Sequence, residues 1–346
     1  MRVLLTGAFG NIGQHALGAL VGEGHSVRCL DVPTKRNRRV AKRMLRRFGS
    51  RMDTVWGDLR QRQDVAKAVA AQEAIVHLAF IIPKQSCSDC DIEATPDRAR
   101  EINVEGTRHL IEEAKGLTVA PRFVFASSVA VYGLTAHLAP PRLASDPVHP
   151  VDAYGRHKVA CERLVRGSGL PWTILRLGAA LPLRITHLNA MFDVPLDTRM
   201  EFVDPRDAGL AFARAVDEKA AVGRTLLVGG GERCQHAFRD MVRIILDAAG
   251  VGMLPSHAFG SDPFYTDWLD TSESQRLLHY QRHDLHDYAR DMRRKLGLGW
   301  MLARVFQPFV QRWLLARSPY WREERNRRAL AAPAHPSPRP VPTSGE

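Results

Sequence analysis

The chain has 346 residues, of which 45% are hydrophobic and 25% are charged, as is typical of a folded α/β domain with room for a smaller lobe. We expect neither a signal peptide nor a transmembrane helix, because the chain enters a strand-like segment at once and holds no apolar run long enough to cross a bilayer. Five cysteines at irregular spacing exclude a disulfide framework and indicate a reducing compartment, so we expect a cytoplasmic protein.

The amino-terminal segment predicts a dinucleotide-binding unit. An apolar run at Val3–Leu5 predicts a buried parallel strand, a helical pattern follows, and a second apolar segment at Ser26–Leu30 ends at Asp31. Between the first strand and the helix lies a G-x-x-G-x-x-G turn of Gly7, Gly10 and Gly13. Such glycines let the backbone approach a pyrophosphate, and Asp31 lies close to the distance at which a carboxylate accepts hydrogen bonds from the adenosine ribose. Glycines that serve only a tight turn are the alternative.

A strongly basic helix is predicted directly after this unit. Eight of the thirteen residues from Lys35 to Arg47 are Lys or Arg, and Val40, Met44 and Phe48 recur every four residues as one docked face. The net charge of +12 is concentrated here and near the carboxyl terminus. The cations could clamp the 2′-phosphate of NADP or form a solvated surface. Because Asp31 repels a 2′-phosphate, NAD is favoured over NADP, and without interleaved aromatic residues no nucleic acid is expected as a partner.

Strands and helices then alternate as far as residue 178. Strands are predicted at Thr54–Trp56, Ala74–Ala79, Arg122–Ala126 and Trp172–Leu177, and helices at Val65–Ala71, 97–115 and Tyr154–Val165. The alternation predicts an α/β fold, a doubly wound parallel sheet of the Rossmann type, with ligands at the carboxyl ends of its strands. The loop at 82–96 holds Cys87 and Cys90 without a second pair, so loop thiols are favoured over zinc or redox chemistry and no metal is expected.

The pattern is less regular after Ala179 and predicts a smaller substrate-binding lobe over 179–330. Its predicted elements are a strand at Glu201–Val203, a helix at Pro205–Val216, a strand at Thr225–Val228 and a helix at His236–Ala249. We expect the chain to cross between this lobe and a dinucleotide-binding domain over 1–178. The Pro- and Ser-rich tail at 331–346 is expected to be disordered.

A segment dense in large apolar residues and interrupted by arginines runs from Leu296 to Leu315. Pro308 must kink any helix there. The segment could pack on its own lobe, form a homodimer interface, cap an apolar substrate pocket, or lie on an anionic membrane surface as basic amphipathic helices do. The sequence alone leaves these alternatives open.

Candidate catalytic groups follow two of the predicted strands. Ser128 lies just past the strand at Arg122–Ala126, at the ligand-binding edge of the sheet. Tyr154 and Lys158 lie one turn apart on one face of a predicted helix. A Tyr-x-x-x-Lys pair alone is common, but here it follows a dinucleotide turn and a serine at a strand end.

With these pieces in order, the chain resembles the extended short-chain dehydrogenase/reductase family, of the NAD-dependent epimerase/dehydratase type. The matching motifs are TGAFGNIG, Asp31, GDL at 57–59, HLA at 77–79, INVEGT at 102–107, SSVAVYG at 127–133, YGRHK at 154–158, ILR at 174–176 and EFVDPRDAG at 201–209. The resemblance covers about residues 1–230 and is looser to about 295.

The resemblance implies an NAD(P)-dependent oxidoreductase or epimerase that transfers hydride at a secondary alcohol or ketone of a small-molecule substrate. It implies that Ser128, Tyr154 and Lys158 are catalytic. The residues that it places at the cofactor are Gly7, Gly10, Asn11, Ile12, Gly13, Asp31, Asp58, Leu59, Ala79, Asn103, Tyr154 and Lys158. A hydrogen bond within a helix or turn is the alternative role for Asn103.

The side chains themselves allow this chemistry. A tyrosine hydroxyl ordinarily titrates near pKa ~10, and we expect the Lys158 ammonium and the positive nicotinamide to lower the pKa of Tyr154. Tyr154 can then remove the proton of an alcohol while hydride passes to the nicotinamide, and Ser128 can orient the same oxygen. Lys158 also holds the nicotinamide ribose, as the family implies.

Departures from the family pattern bear on the substrate. Dehydratases of this family usually carry an acidic pair after the serine, and Val129 and Ala130 stand there, so elimination is not expected. Nucleotide-sugar enzymes usually carry an arginine where Met200 stands, although neighbouring Arg199 could substitute. An apolar or steroid-like alcohol therefore fits about as well as a nucleotide sugar. A nucleotide-sugar 4-epimerase and a non-catalytic NAD(P)-binding regulator are the alternatives, although such regulators often lose the Tyr or Lys that this chain keeps.

Overall fold

The computed structural model describes residues 1–83, 92, 95–182 and 188–331. Seven strands form one sheet, in the order β3-β2-β1-β4-β5-β6-β8, and every neighbouring pair is parallel. The strands are β1 (Arg2–Thr6), β2 (Ser26–Asp31), β3 (Met52–Trp56), β4 (Ala74–His77), β5 (Arg122–Ser128), β6 (Trp172–Leu177) and β8 (Arg224–Val228). The predicted doubly wound parallel sheet is confirmed.

Helices cover both faces of this sheet, because the central strands are apolar on both sides. On β1, Val3 and Leu5 pack into one buried cluster and Leu4 into the other. The first cluster is covered by α1 (Asn11–Gly22), α2 (Lys35–Phe48) and α7 (Pro205–Asp217), and the second by α3 (Arg62–Val69), α5 (Gly106–Lys115) and α6 (Ala153–Arg166). All carboxyl ends of the strands therefore meet at one edge, between the two helical layers.

The helix predicted over 97–115 is divided into three pieces. The first is α4 (Pro96–Arg100), a π-helical turn follows at Glu101–Glu105, and α5 completes the segment. Periodicity cannot reveal such a turn, because it adds one residue without ending the helix. The turn contains Asn103 and holds it in a buried position.

The second, smaller core lies beyond the sheet. It is built around a two-stranded antiparallel pair, β7 (Arg199–Glu201) and β9 (Gln235–Ala237), with the helix α8 (Phe238–Ala248) packed beside it. The strand predicted at Glu201–Val203 thus lies two residues earlier. The helix α9 (Ser272–Leu278) packs on the main core, where Leu278 is fully buried. The helices that follow in the second lobe are α10 (Leu285–Leu296), α11 (Leu298–Val305), α12 (Gln307–Leu315) and α13 (Pro319–Ala331).

The chain crosses between the two cores, because two elements that follow residue 179 return to the main sheet. The strand β8 pairs with β6 in the main sheet, and α7 belongs to the cluster that covers α1. Pro308 lies in the first turn of α12, directly after the break between α11 and α12, so its predicted effect on the helix is confirmed.

Two predictions fall outside the described residues. They concern Cys87 and Cys90 in the loop and the tail after Ala331. Cys29, Cys161 and Cys234, which the structure does describe, are free and buried. No helix in the described part of the chain is long and apolar enough to cross a membrane.

Candidate active site

The glycine turn after β1 forms a cradle at the sheet edge. Gly7 has a φ of +67°, and a Cβ there would lie 2.8 Å from the backbone nitrogen of Ala79. A Cβ on Gly13 would lie 2.1 Å from the carbonyl oxygen of Gly7. The turn is therefore closed to larger residues, and α1, which begins at Asn11 within the motif, has its first N–H groups unbonded within the helix. This arrangement fits the pyrophosphate of a dinucleotide.

Asp31 lies at the end of β2 with both carboxylate oxygens held in place. Its Oδ2 accepts from the Phe9 amide at 3.0 Å, and its Oδ1 accepts from the Val32 amide and from Asn37 Nδ2, both at 2.9 Å. Burial raises the pKa of Asp31, and these backbone hydrogen bonds oppose that shift. A carboxylate has about four acceptor positions, so the three donors leave it able to accept from a ribose hydroxyl.

Ser128 and Tyr154 meet where β5 ends and α6 begins. The Asp152 carboxylate accepts from the Gly155 amide at 2.7 Å and so caps α6 one residue before Ala153. A Cβ on Gly155 would lie 2.8 Å from the Ala130 carbonyl oxygen, so the helix starts in close contact with the turn after Ser128. The Ser128 hydroxyl is a close neighbour of the Tyr154 hydroxyl and acts to lower its pKa.

Lys158 is buried one turn further along α6. Its Nζ donates to the Ala126 carbonyl oxygen at 2.7 Å and lies 3.4 Å from the ring centroid of Phe80. The ring of Tyr154 is 5.5 Å from the same nitrogen and packs edge-on against Phe80, with centroids 5.8 Å apart. The predicted grouping of serine, tyrosine and lysine is thus present, with an aromatic ring inserted beside the lysine.

Burial controls the protonation of both groups. It raises the pKa of Tyr154 to about 12, and the neighbouring Ser128 hydroxyl opposes the shift. It lowers the pKa of Lys158 to about 7. The expected lowering of the Tyr154 pKa is therefore wrong for the protein alone, because loss of solvation dominates and the nearby Asp152 carboxylate raises the pKa further.

A buried ion pair holds α6 against the sheet. Glu162 lies one turn after Lys158 and accepts two hydrogen bonds from Arg176 on β6, both at 2.8 Å, and a third from Ser127 at 2.6 Å. These charge-assisted bonds lower the pKa of Glu162 against the effect of burial. The contact fixes the height of α6 along β5 and so positions Lys158 and Tyr154.

Ser128, Tyr154 and Lys158 line a cavity of about 760 Å³. It begins at the glycine turn, passes Ser128, Tyr154 and Lys158, and ends at the inner faces of α11 and α12. Its far part is lined by apolar side chains, among them Met241, Val242, Ile245, Leu296, Val310 and Leu314. Among the described residues that line it, Lys158 is the only one with a charged side chain.

The predicted cofactor residues divide into two groups. Gly7, Gly10, Asn11, Ile12, Gly13, Tyr154 and Lys158 line the cavity. Ala79 lies against the glycine turn, where its amide donates to Thr6 Oγ1 at 3.1 Å. Asp31, Asp58, Leu59 and Asn103 do not line the cavity.

Three of these side chains have clear roles within the protein. Asp58 binds the guanidinium of Arg60, with 2.7 Å between Oδ2 and Nη2. Leu59 packs in the core beneath α5. Asn103, on the π-helical turn, accepts from the Ile81 amide at 2.6 Å and donates to the Ile81 carbonyl at 2.9 Å. It thereby fixes the backbone after β4, next to the cavity-lining Ile82.

Three of the residues that depart from the family pattern lie at the cavity. Val129, Ala130 and Met200 line the cavity. Arg199 does not line it, and its guanidinium binds Asp267 through two hydrogen bonds of 2.6 and 3.0 Å and the carbonyls of Thr135 and Leu138. The proposed substitution of Arg199 for the missing arginine is therefore not supported by its position.

Two features of the site were missed. Phe80 follows the HLA motif, and its contact with Lys158 joins parts of the chain that no sequence pattern links. His77 is fully buried between Thr6 and Thr107, at 2.7 and 3.0 Å, and burial lowers its pKa to about 3. Because Thr6 accepts from two amides, its proton goes to His77 Nδ1, and His77 Nε2–H donates to Thr107. These hydrogen bonds between Thr6, neutral His77 and Thr107 lie in the core below the site.

Comparison with known proteins agrees with the fold and the motifs. A family model described as NAD dependent epimerase/dehydratase family matches residues 3–229. A 131-residue match is 34% identical to a 3-beta-hydroxysteroid dehydrogenase of Mycolicibacterium neoaurum, covering 38% of this chain and 32% of that one. A 184-residue match is 27% identical to a UDP-glucose 4-epimerase of Lactobacillus helveticus, covering 51% of each chain.

A solved structure extends the likeness beyond the matched residues. A short-chain dehydrogenase/reductase superfamily protein from Agrobacterium tumefaciens, solved with bound NAD, superimposes with a TM-score of 0.69 at 22% identity and covers 88% of this chain and 99% of its own. At that identity the likeness shows the shared fold. The two curated matches span about a third and about a half of those relatives. Since the family model matches well over half of the sequence, the chain belongs to the NAD-dependent epimerase/dehydratase family.

Proposed function

We propose that this protein is an NAD-dependent oxidoreductase that interconverts a secondary alcohol and a ketone on an apolar substrate of steroid-like size. The main support for the proposal is the cavity of about 760 Å³, which begins at the glycine turn, passes Ser128, Tyr154 and Lys158 and continues between apolar side chains. Specific small-molecule pockets of this size are mostly apolar, with a few polar groups that orient the ligand. Ser128 and Tyr154 are such groups here.

Each catalytic side chain has a role that its position supports. NAD would be held by the glycine turn, the start of α1 and Asp31, and it supplies the hydride acceptor or donor. Ser128 orients the substrate oxygen, and Tyr154 gives a proton to that oxygen or takes one from it. Lys158 stabilises the phenolate when its amine is protonated. Because burial raises the pKa of Tyr154 to about 12, its hydroxyl is protonated at neutral pH, which suits ketone reduction.

The choice of an apolar substrate follows from the charges. A nucleotide sugar carries a diphosphate that requires cationic partners in its pocket. Lys158 is the only charged side chain among the described lining residues, and Arg199 is bound to Asp267. The partial likeness to a 3-beta-hydroxysteroid dehydrogenase supports the same class, whereas the likeness to a UDP-glucose 4-epimerase keeps the nucleotide-sugar alternative in the test.

The experiment follows NADH absorbance with purified protein. The panel contains apolar ketones of steroid size, short polar ketones and, with NAD, UDP-glucose assayed for epimerisation. We expect turnover with the apolar ketones. Tyr154→Phe should lower it by roughly 10²-fold or more, because the proton donor is lost, and should leave NADH binding nearly unchanged. Tyr320→Phe, a matched change away from the cavity lining, should behave as wild type.

Three results would contradict the proposal. Retained turnover in Tyr154→Phe would remove the acid/base role. Faster turnover of UDP-glucose than of any ketone would favour the epimerase. NADH binding without turnover of any substrate would favour a non-catalytic regulator.

A further inference from the structure

We infer that the outer face of α11 and α12 docks on an anionic lipid bilayer, beside the opening through which an apolar substrate reaches the cavity. The route for the substrate rests on the proposed function, whereas the docking does not. The two helices are called the docking pair below. They span Leu298–Val305 and Gln307–Leu315.

The docking pair concentrates the exposed apolar surface of the described chain. The described chain has sixteen exposed large hydrophobic side chains, and seven of them lie within residues 298–313, including every exposed Phe and Trp. They are Leu298, Met301, Leu302, Val305, Phe306, Phe309 and Trp313. Leu298 is 77% exposed and Phe309 is 73% exposed. A contiguous apolar surface of this kind marks an interaction site.

The charge of the docking pair and of the residues that flank it selects the partner. Residues 293–322 contain seven Arg or Lys and no Asp or Glu. Among the residues that the structure describes, no ion pair involves Arg304, Arg312 or Arg317, and the Arg317 guanidinium lies 3.3 Å from the ring centroid of Trp313. An apolar face with tryptophan and flanking arginines is the composition that binds at the headgroup level of anionic membranes.

Charge also argues against a second copy of the chain. In a two-fold dimer the same patch would face itself, so the arginines of both copies would be brought together. Nucleic acid would satisfy the charge but would leave the large apolar side chains without a partner. An anionic bilayer satisfies both.

The cavity connects this face to the catalytic groups. The inner sides of the docking pair, at Gly299, Ala303, Val310, Trp313 and Leu314, line the cavity that reaches Tyr154. Trp313 both lines the cavity and is 50% exposed, so it lies at the boundary between cavity and surface. A protein docked through this face would receive an apolar substrate from the bilayer without passing it through water.

Vesicle flotation tests the docking without any turnover. The full chain is mixed with vesicles of phosphatidylcholine alone or of phosphatidylcholine with phosphatidylglycerol. We expect the protein to float with the anionic vesicles and to be released by high salt, because salt screens the arginines. The double variant Val305→Ser and Phe309→Ser should lose at least tenfold in vesicle affinity. Leu45→Ser, an exposed change on the more basic α2, should lose none.

Two outcomes would overturn the docking. One is flotation that persists in the double variant but disappears in Arg39→Glu with Arg43→Glu, which would place the lipid contact on α2. The other is an absence of flotation together with a wild-type dimer that the double variant abolishes, which would show that a second copy covers the face. Circular dichroism of each variant confirms that it is folded.

A second arm tests the route of the substrate. Turnover of an apolar ketone presented in anionic vesicles is compared with turnover of the same ketone carried by cyclodextrin. We expect the double variant to lose turnover only with vesicles. Equal loss with both carriers would overturn the route. If no ketone is reduced in either form while flotation is normal, the proposed function fails and the docking stands.

Discussion

Replacing Lys158 by methionine should change the pH dependence of stability in a defined direction. Lys158 is 3% exposed, and burial lowers its pKa from 10.5 to about 7. Between these values the unfolded chain binds a proton that the folded chain does not, so wild-type stability rises with pH at up to about 1.4 kcal/mol per unit. Above the pKa of Lys158 in the unfolded chain, burying the side chain carries no charge penalty. Below its pKa in the folded chain, the full penalty is present.

The magnitude follows from the same two values. Between pH 7 and pH 9 the free energy of unfolding of wild type should rise by about 2 kcal/mol relative to Lys158→Met, which has no charge to bury. The methionine also removes the hydrogen bond to the Ala126 carbonyl and the contact with Phe80. Those losses shift the two curves at every pH, so the difference in slope isolates the buried charge.

Urea unfolding at pH 7, 8 and 9, followed by circular dichroism without cofactor, measures this difference. Lys67→Met, which removes an exposed lysine from α3, is the matched control and should follow wild type. Parallel curves for wild type and Lys158→Met would refute the account, because they would show that Lys158 remains charged in the folded protein throughout this range.

Other changes have equally definite outcomes. Gly13→Ala should abolish NADH binding measured by fluorescence, because its Cβ would lie 2.1 Å from the Gly7 carbonyl oxygen, whereas Gly22→Ala, with nothing within 4 Å, should bind normally. Burial lowers the pKa of His77 from 6.5 to about 3. As the pH falls between these two values, the imidazole gains a proton in the unfolded chain but not in the folded chain, so the free energy of unfolding decreases. From pH 7 to pH 4.5 wild type should therefore lose roughly 2 kcal/mol more than His77→Gln in urea unfolding, and equal losses would contradict a neutral buried imidazole.

The sheet was predictable because its signals are local. Apolar runs such as Val3–Leu5 mark buried strands, and the glycines after β1 restrict what can follow. Elements of the second core carried weaker signals. The helix α10 was missed, although Asp284 and Asp287 form a capping box and Leu285, Tyr288 and Met292 recur at helical spacing. That pattern was readable from the sequence.

Other features depend on contacts between distant parts of the chain. The π-helical turn at Glu101–Glu105 serves a hydrogen bond between Asn103 and Ile81, 22 residues away. The strand β8 joins the main sheet only because β6 offers a free edge. The pKa of Tyr154 depends on how completely Phe80 and its neighbours exclude water. Residue types and spacing predicted that Ser128, Tyr154 and Lys158 lie together, but only the fold shows how far each is shielded from water.

We propose that Tyr154 and Lys158 face the reactive end of NAD at the mouth of an apolar cavity. A crystal structure of the protein with NAD would show this arrangement. We expect the pyrophosphate at the Gly7–Gly13 turn and the nicotinamide end beside Tyr154 and Lys158. We also expect the apolar part of the cavity to remain open as far as α11 and α12. A nicotinamide placed away from Tyr154, or a Tyr154 hydroxyl directed into solvent, would contradict it.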